Sequence, residues 1–290
     1  MEEAIIIGAF DFIGYNLLNK LLNDGVVVHG VDIELSEQAS DLKEEKILAI
    51  GRNANFNYIE DNEWESLQEV DTLFYCVDVT GGEDLARAED LLKEAIQYCQ
   101  STSTSLIFAS TLEVVDHRTH EKITENTPSL PVNERGRVYA KLEDLLRSEY
   151  KKKSFAYLLL RLPTLYGPWQ PERFAYHQLL QNEHKHGETW DEYKGDVLFI
   201  DDAVEALVQA GISESRSEII HITTGKVDEW AKGIAYIINK SNKQRGENTI
   251  TLSSEKAQEL LSFSPSVSIQ EGIEKQKEFI HTLTKDIGRN

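Results

Sequence analysis

The run Ala4-Ile5-Ile6-Ile7-Gly8-Ala9-Phe10-Asp11-Phe12-Ile13-Gly14, followed closely by Val26 to Asp32, decides how the rest of the chain is read. A short apolar run that ends in glycine and turns into an amphipathic segment is a buried strand feeding a helix. Leu17, Leu18, Leu21 and Leu22 recur at helical spacing, and Asp24-Gly25 stops that helix before the strand Val26-Val27-Val28. The second strand ends on Asp32, eighteen residues past Gly14. A strand-turn-helix-strand unit that holds a dinucleotide places an acid there for the adenosine ribose, which favours NAD over NADP.

Such a unit usually carries three glycines, for the tight turn, for close approach of the pyrophosphate and for helix packing. Here Gly8 and Gly14 are present, but the middle position is Asp11. A pyrophosphate sits on the helix N-terminus, held by peptide N–H groups and the helix dipole, and a carboxylate turned inward opposes it. At about 4 Å and an effective dielectric near 20 the repulsion is roughly 4 kcal/mol, or about a thousandfold in affinity. A side chain turned to solvent costs far less.

At 290 residues the chain can bury a substantial core, as one large α/β domain or as one domain with a small second lobe. Thirty lysines and arginines against 50 acids give a net charge of −20, which argues against a nucleic-acid partner. Lys151-Lys152-Lys153 reads as a solvated helix end. Cys76 and Cys99 are too few and too poorly spaced for a disulfide framework or a zinc site and read as reduced core thiols. His184 and His186 diverge on a helix, so with His177 they read as surface histidines, and no metal site is expected. Met1-Glu2-Glu3 leads directly into a strand, and no apolar run approaches twenty residues. The expectation is a cytoplasmic protein without a membrane anchor.

Farther along, Ser36 to Ile50 reads as a surface helix and Asn55 to Ile59 as a short strand, with Glu60-Asp61 after it. Strands are expected at Thr72 to Val79, Leu106 to Ser110 and Ala156 to Leu162, with helices at Glu83 to Gln100 and Gly136 to Tyr150 between them. This alternation predicts a parallel sheet covered on both faces, a Rossmann-type doubly wound α/β fold. Past Pro163 the rhythm changes. Helices are expected at Glu172 to Lys185, Asp201 to Gly211 and Asp228 to Asn239, and strands at Val197 to Ile200, Ile219 to Ile222 and Thr249 to Leu252. Ser268-x-x-Glu271 is a capping box that opens a final helix through Ile273, Phe279 and Ile280. The expected organisation is a dinucleotide-binding domain over 1–165 and a small C-terminal α/β substrate lobe over 166–290, with about 197–222 returning to the main domain. No Gly-x-Ser-x-Gly turn surrounds Ser110-Thr111, which argues against nucleophilic hydrolysis.

Several segments, in order and over nearly the whole length, resemble the extended short-chain dehydrogenase/reductase family, in particular its NAD-dependent epimerase/dehydratase group acting on nucleotide sugars. They are Gly8 to Gly14, Asp32, Phe108-Ala109-Ser110-Thr111, Leu160-Arg161-Leu162-Pro163-Thr164-Leu165-Tyr166-Gly167-Pro168-Trp169-Gln170 and Val197-Leu198-Phe199-Ile200-Asp201-Asp202-Ala203. The resemblance implies transient hydride transfer to a bound NAD (NADP less favoured), with a small-molecule substrate of nucleotide-sugar type. The cofactor would touch Gly8, Phe12, Ile13, Gly14, Asp32, Glu60, Asp61, Val77 and Leu162. It also implies a homodimer through the two long helices near Glu83 to Gln100 and Gly136 to Tyr150.

In that family a tyrosine and a lysine four residues apart share a helix face, with a serine or threonine at the preceding strand end. The lysine lowers the phenol pKa, and the tyrosine moves a substrate proton. Thr111 matches the hydroxyl and Tyr139 the tyrosine, but four residues on stands Glu143. Lys141 is the nearest basic residue, about 200° around the helix from Tyr139, and placing it as the lysine puts Arg137 where the tyrosine belongs. A glutamate beside Tyr139 is expected to raise the phenol pKa. Val77-Asp78 brings a second acid toward the nicotinamide half, and Thr164 replaces a usual asparagine. Gly195 stands where the family often has a diphosphate-clamping arginine, leaving Arg173 or Lys194 to take that role. The motif set thus supports two readings, a divergent enzyme and a non-catalytic binding or regulatory descendant.

Overall fold

In the computed structural model, residues 1–33, 42–68, 70–116, 122–181, 190–239 and 251–287 are described. The first crossover runs β1 (Glu3–Ile7), α1 (Phe12–Asn23), β2 (Val27–Val31), then α2 (Lys43–Ile50) and β3 (Phe56–Ile59). The second half adds β4 (Thr72–Tyr75), α3 (Leu85–Ser101), β5 (Ser105–Thr111), the short β6 (Lys122–Ile123), α4 (Glu134–Lys152) and β7 (Tyr157–Leu162). There follow β8 (Thr164–Tyr166), α5 (Ala175–Gln181), β9 (Val197–Phe199), α6 (Ile200–Ile212), β10 (Glu218–His221), α7 (Glu229–Ile237), β11 (Thr251–Leu252), α8 (Glu255–Leu261) and α9 (Ile269–Ile287).

Seven strands form one sheet in the order β10-β7-β5-β4-β1-β2-β3, every pair parallel. The direction of winding reverses between β1 and β4, which opens a crevice at the carboxyl ends of the strands. Successive residues feed opposite faces. Ile6, Phe74, Ile107 and Leu160 join the core under α1 and α6, while Ile5, Ile7, Leu73, Phe108 and Leu159 join the one under α3 and α4. Two further parallel pairs, β8–β9 and β6–β11, lie outside the main sheet. No helix among the described residues is long and apolar enough to cross a membrane.

Several boundaries differ from the sequence expectation. The strand expected at Thr72 to Val79 ends at Tyr75, because the backbone at Val77 and Val79 bonds to the Tyr139 hydroxyl instead of to a neighbouring strand. Helix α4 begins at Glu134 rather than Gly136, since the Asn133 side chain caps it by accepting the Gly136 N–H at 2.9 Å. The capping box holds in part, with the Glu271 N–H on Ser268 Oγ at 3.2 Å. The expected helix from Ser36 and that to Lys185 are seen as Lys43–Ile50 and Ala175–Gln181. Leu42 and Glu172 to Phe174 are turn or bend instead of helix, and 36–41, 182–185 (with His184), His186 and Thr249 lie outside the described residues.

Candidate functional site

The turn after β1 is shaped by contacts within the chain itself. Gly8 adopts φ +81°, and a Cβ there would lie 2.9 Å from the Val77 Cα. A Cβ on Gly14 would lie 2.0 Å from the Gly8 carbonyl oxygen, so α1 can close onto the turn only without a side chain at that point. Asp11 is the N-cap residue of α1, yet its carboxyl does not cap its own helix. It reaches across to the segment after β4, where Oδ2 accepts the Asp78 N–H at 2.9 Å. Burial, then the neighbouring Asp78 charge, pushes its pKa up to about 8.

Asp78 in turn faces two arginines, Arg173 at 2.5 Å and Arg135 at 3.4 Å. Burial alone would raise its pKa, but the two guanidinium groups more than offset this and hold it down at about 2. Arg135 also donates to Glu113 at 2.8 Å and lies over the Tyr139 ring, 4.9 Å from its centroid. These contacts tie the exit of β4, the start of α4 and the segment before α5 into one charged cluster.

Asp32 follows β2, and its carboxylate is engaged by the chain: Tyr58 donates to it at 3.1 Å, and Lys43 forms an ion pair with it. Glu60 is exposed at the end of β3, and Asp61 opens a short 3-10 turn. Phe10 packs its ring against Tyr15, Phe56 and Tyr58 beside this point.

Thr111 ends β5 with its hydroxyl accepting the Glu113 N–H at 3.2 Å. It shares a cavity of about 30 Å³ with Phe12, Ile13, Leu162, Arg135 and Asp78, space for about two waters. The structure thus brings Thr111, Phe12, Ile13 and Leu162 together.

Tyr139 is buried behind that cavity. Its hydroxyl donates to the Val77 carbonyl at 3.0 Å and accepts the Val79 N–H at 3.4 Å. Burial pushes its pKa up to about 12, against the opposing pull of Arg135. Lys141 is exposed and does not share the face of α4 that carries Tyr139.

Glu143 corrects one expectation. It is fully buried and bound to Arg161, with Nε at 3.0 Å and Nη2 at 2.7 Å, and it accepts the Ser110 hydroxyl at 2.7 Å. Its charge is spent on the arginine, and the phenol is raised chiefly by burial. The pair that α4 turns toward the crevice at four-residue spacing is Arg135 and Tyr139, a register that neither sequence alignment contained. Arg135, Glu113 and the buried Lys46 were all missed from sequence. The Asn133 cap was the available signal, because a helix that starts at Glu134 includes Arg135 and places it one turn before Tyr139 on the same face.

Neither candidate clamp is free. Arg173 holds Asp78, and Lys194 lies over the Trp230 ring at 5.6 Å. A side chain at Gly195 would collide with the Tyr193 hydroxyl, 2.0 Å from the Cβ position. Asp196 beside it is buried and accepts bonds from Val197, Thr223 and Thr224. Thr164 donates to the Tyr193 carbonyl at 2.6 Å.

Comparison with known proteins places this geometry. The sequence profile of the NAD dependent epimerase/dehydratase family matches residues 4–222. A Bacillus subtilis protein described as an uncharacterized UDP-glucose epimerase is 24% identical, covering 97% of this chain and 98% of its own. Among solved structures, the UDP-glucuronic acid 4-epimerase of Bacillus cereus in complex with NAD superposes with a TM-score of 0.80 at 24% identity over 98% of both chains. The UDP-glucose 4-epimerase of Thermotoga maritima with UDP-glucose gives 0.73 at 23% identity, covering 97% of this chain and 99% of that one. These structures share the fold, and the profile spans most of the chain from β1 to just beyond β10. The chain therefore belongs to the NAD dependent epimerase/dehydratase family.

Proposed function

We propose that this protein binds a nucleotide sugar at the crevice without carrying out NAD-dependent hydride transfer. The observation that carries the reading is Tyr139. The hydroxyl a family member needs at the substrate is bonded to the Val77 and Val79 backbone, and Arg135 lies one turn before it toward the cavity. A phenol raised to about 12 is also poorly matched to proton transfer near neutrality.

Two features of the crevice argue against a bound dinucleotide. Asp11 reaches into the crevice where a pyrophosphate would rest on α1. Both Lys43 and Tyr58 already engage the Asp32 carboxylate. The similarity to epimerases of UDP-glucose and UDP-glucuronic acid supports a nucleotide sugar as the ligand. A homodimer through α3 and α4 is part of the same proposal, and its mass in solution by light scattering tests it.

Incubation of the protein with UDP-glucose or UDP-glucuronic acid and added NAD, with NMR at sugar C4, tests the function. The expected result is calorimetric binding of the nucleotide sugar with no C4 epimer formed. Epimer formation overturns the proposal and establishes the second reading, a divergent epimerase. That reading is favoured by one observation, that Thr111 still meets Phe12, Ile13 and Leu162 around the cavity.

A further inference from the structure

Asp78 is held by two arginines where one would neutralise it, and the two are held differently. Arg135 belongs to α4. Its Nη1 donates to Glu113 at 2.8 Å and its Nη2 to Asp78 at 3.4 Å, while the guanidinium stacks 4.9 Å from the Tyr139 ring centroid. Three groups thus fix it at once. Arg173 belongs to the turn between β8 and α5, and its side chain is 41% exposed against 21% for Arg135. Its Nη2 donates to Asp78 at 2.5 Å, and its guanidinium lies over the ring of the next residue, Phe174, at 4.6 Å. Among the described residues, Nε and Nη1 of Arg173 have no acceptor.

The Asp78–Arg173 pair joins the segment after β4 to the segment after β8 at the crevice. Asp78 and Phe174 both line the cavity that holds Thr111. Parting the two costs little, because a half-exposed ion pair is weak in water and Asp78 keeps Arg135 when Arg173 leaves. The aspartate is never stranded without a cation.

A nucleotide sugar brings a diphosphate into this acid-rich crevice, and that charge needs a partner. Position 195 is glycine, Lys194 lies over the Trp230 ring at 5.6 Å, and Arg135 is engaged by both Glu113 and Asp78. Arg173 retains unused donors in a planar fork, the geometry that suits a phosphate.

We propose that Arg173 is an exchangeable ligand for the diphosphate, latched to Asp78 until the nucleotide arrives, and that Arg135 keeps the aspartate once the latch opens. Asp78 thereby tunes affinity by competing for Arg173. This rests on the reading that the crevice takes a nucleotide sugar. A coupling between positions 78 and 173 follows, which an arginine that merely added attraction would lack.

Calorimetric titration of UDP at pH 7 into the full-length native protein, Asp78→Asn, Arg173→Gln and the double variant tests this. Asparagine keeps the backbone N–H that Asp11 accepts and an oxygen for Arg135. Asp78→Asn should bind UDP at least about threefold more tightly than native, and Arg173→Gln at least about tenfold more weakly. In the Arg173→Gln background the Asp78 substitution should lose most of its gain. An equal gain in both backgrounds is a diffuse charge effect and overturns the inference, as does an affinity unchanged by Arg173→Gln. That variant sits on an exposed turn and is decisive alone should Asp78→Asn not fold. Absence of UDP binding in every form overturns the latch together with the proposed binding. C4 epimer formation with the coupling intact overturns only the absence of hydride transfer.

Discussion

Arg161 on β7 and Glu143 on α4 form a two-pronged ion pair inside the protein, with Nε to Oε1 at 3.0 Å and Nη2 to Oε2 at 2.7 Å. Both side chains are nearly or fully buried. Ser110 adds a third bond to the same carboxylate, so the position that looked like a disabled catalytic lysine is part of the core. Removing Glu143 leaves the buried Arg161 charge without its carboxylate. Glu143→Ala should cost about 3–5 kcal/mol, read by urea denaturation. Replacing both residues, Glu143→Leu with Arg161→Met, should cost much less than the single change.

Tyr139 separates the two functional readings through stability and turnover. Under the proposed function its hydroxyl serves the Val77–Val79 backbone alone. Tyr139→Phe should then cost about 1 kcal/mol in thermal or chemical unfolding and leave nucleotide-sugar affinity unchanged. A loss of epimer formation in that variant would assign the phenol to catalysis.

Asp11 should make the fold alkali-sensitive. Its pKa rises from an ordinary 3.8 to about 8 on folding, so the native state holds more protons than the unfolded chain between those values. Stability linked to this group is greatest below pH 4 and falls as pH climbs toward 8. Asp11→Asn, which keeps an oxygen for the Asp78 N–H, should stabilise the protein by about 2 kcal/mol or more at pH 8. Paired melts at pH 5 and pH 8 check this, since the advantage must grow with pH.

Asp78 behaves in the opposite sense. Its pKa falls from 3.8 to about 2 through Arg173 and Arg135, despite burial. The stability it contributes is present above pH 4 and lost as pH drops toward 2. Arg173 is 41% exposed, so water screens part of the attraction and Asp78→Asn should cost about 1 kcal/mol at pH 7. The gap between variant and native should close on acidification, as followed by circular dichroism.

The sequence alone determined the wound sheet. Ile5 to Ile7, Leu73 to Tyr75, Leu106 to Phe108 and Leu158 to Leu160 carry apolar residues to both faces, and Leu17, Leu18, Leu21 and Leu22 repeat at helical spacing, so local periodicity suffices. It also showed that Asp11 stands where a glycine is usual and that Thr111 occupies the hydroxyl position. Where each of these side chains points was decided by elements far away in the chain. Asp11 turned inward because a backbone N–H at Asp78 awaited it across the sheet. Tyr139 turned to Val77 because the Val77 carbonyl and the Val79 N–H stand opposite its hydroxyl, and the Asn133 cap brings Arg135 into α4 one turn earlier on the same face. Lys46 is buried although periodicity marked Ile47 and Leu48, because Phe10, Tyr15 and Trp169 supply an oxygen and two ring faces that only the assembled fold brings together. Periodicity reports which face of an element is apolar; the partner a polar group finds depends on tertiary neighbours, and in this protein those neighbours set the chemistry of the crevice.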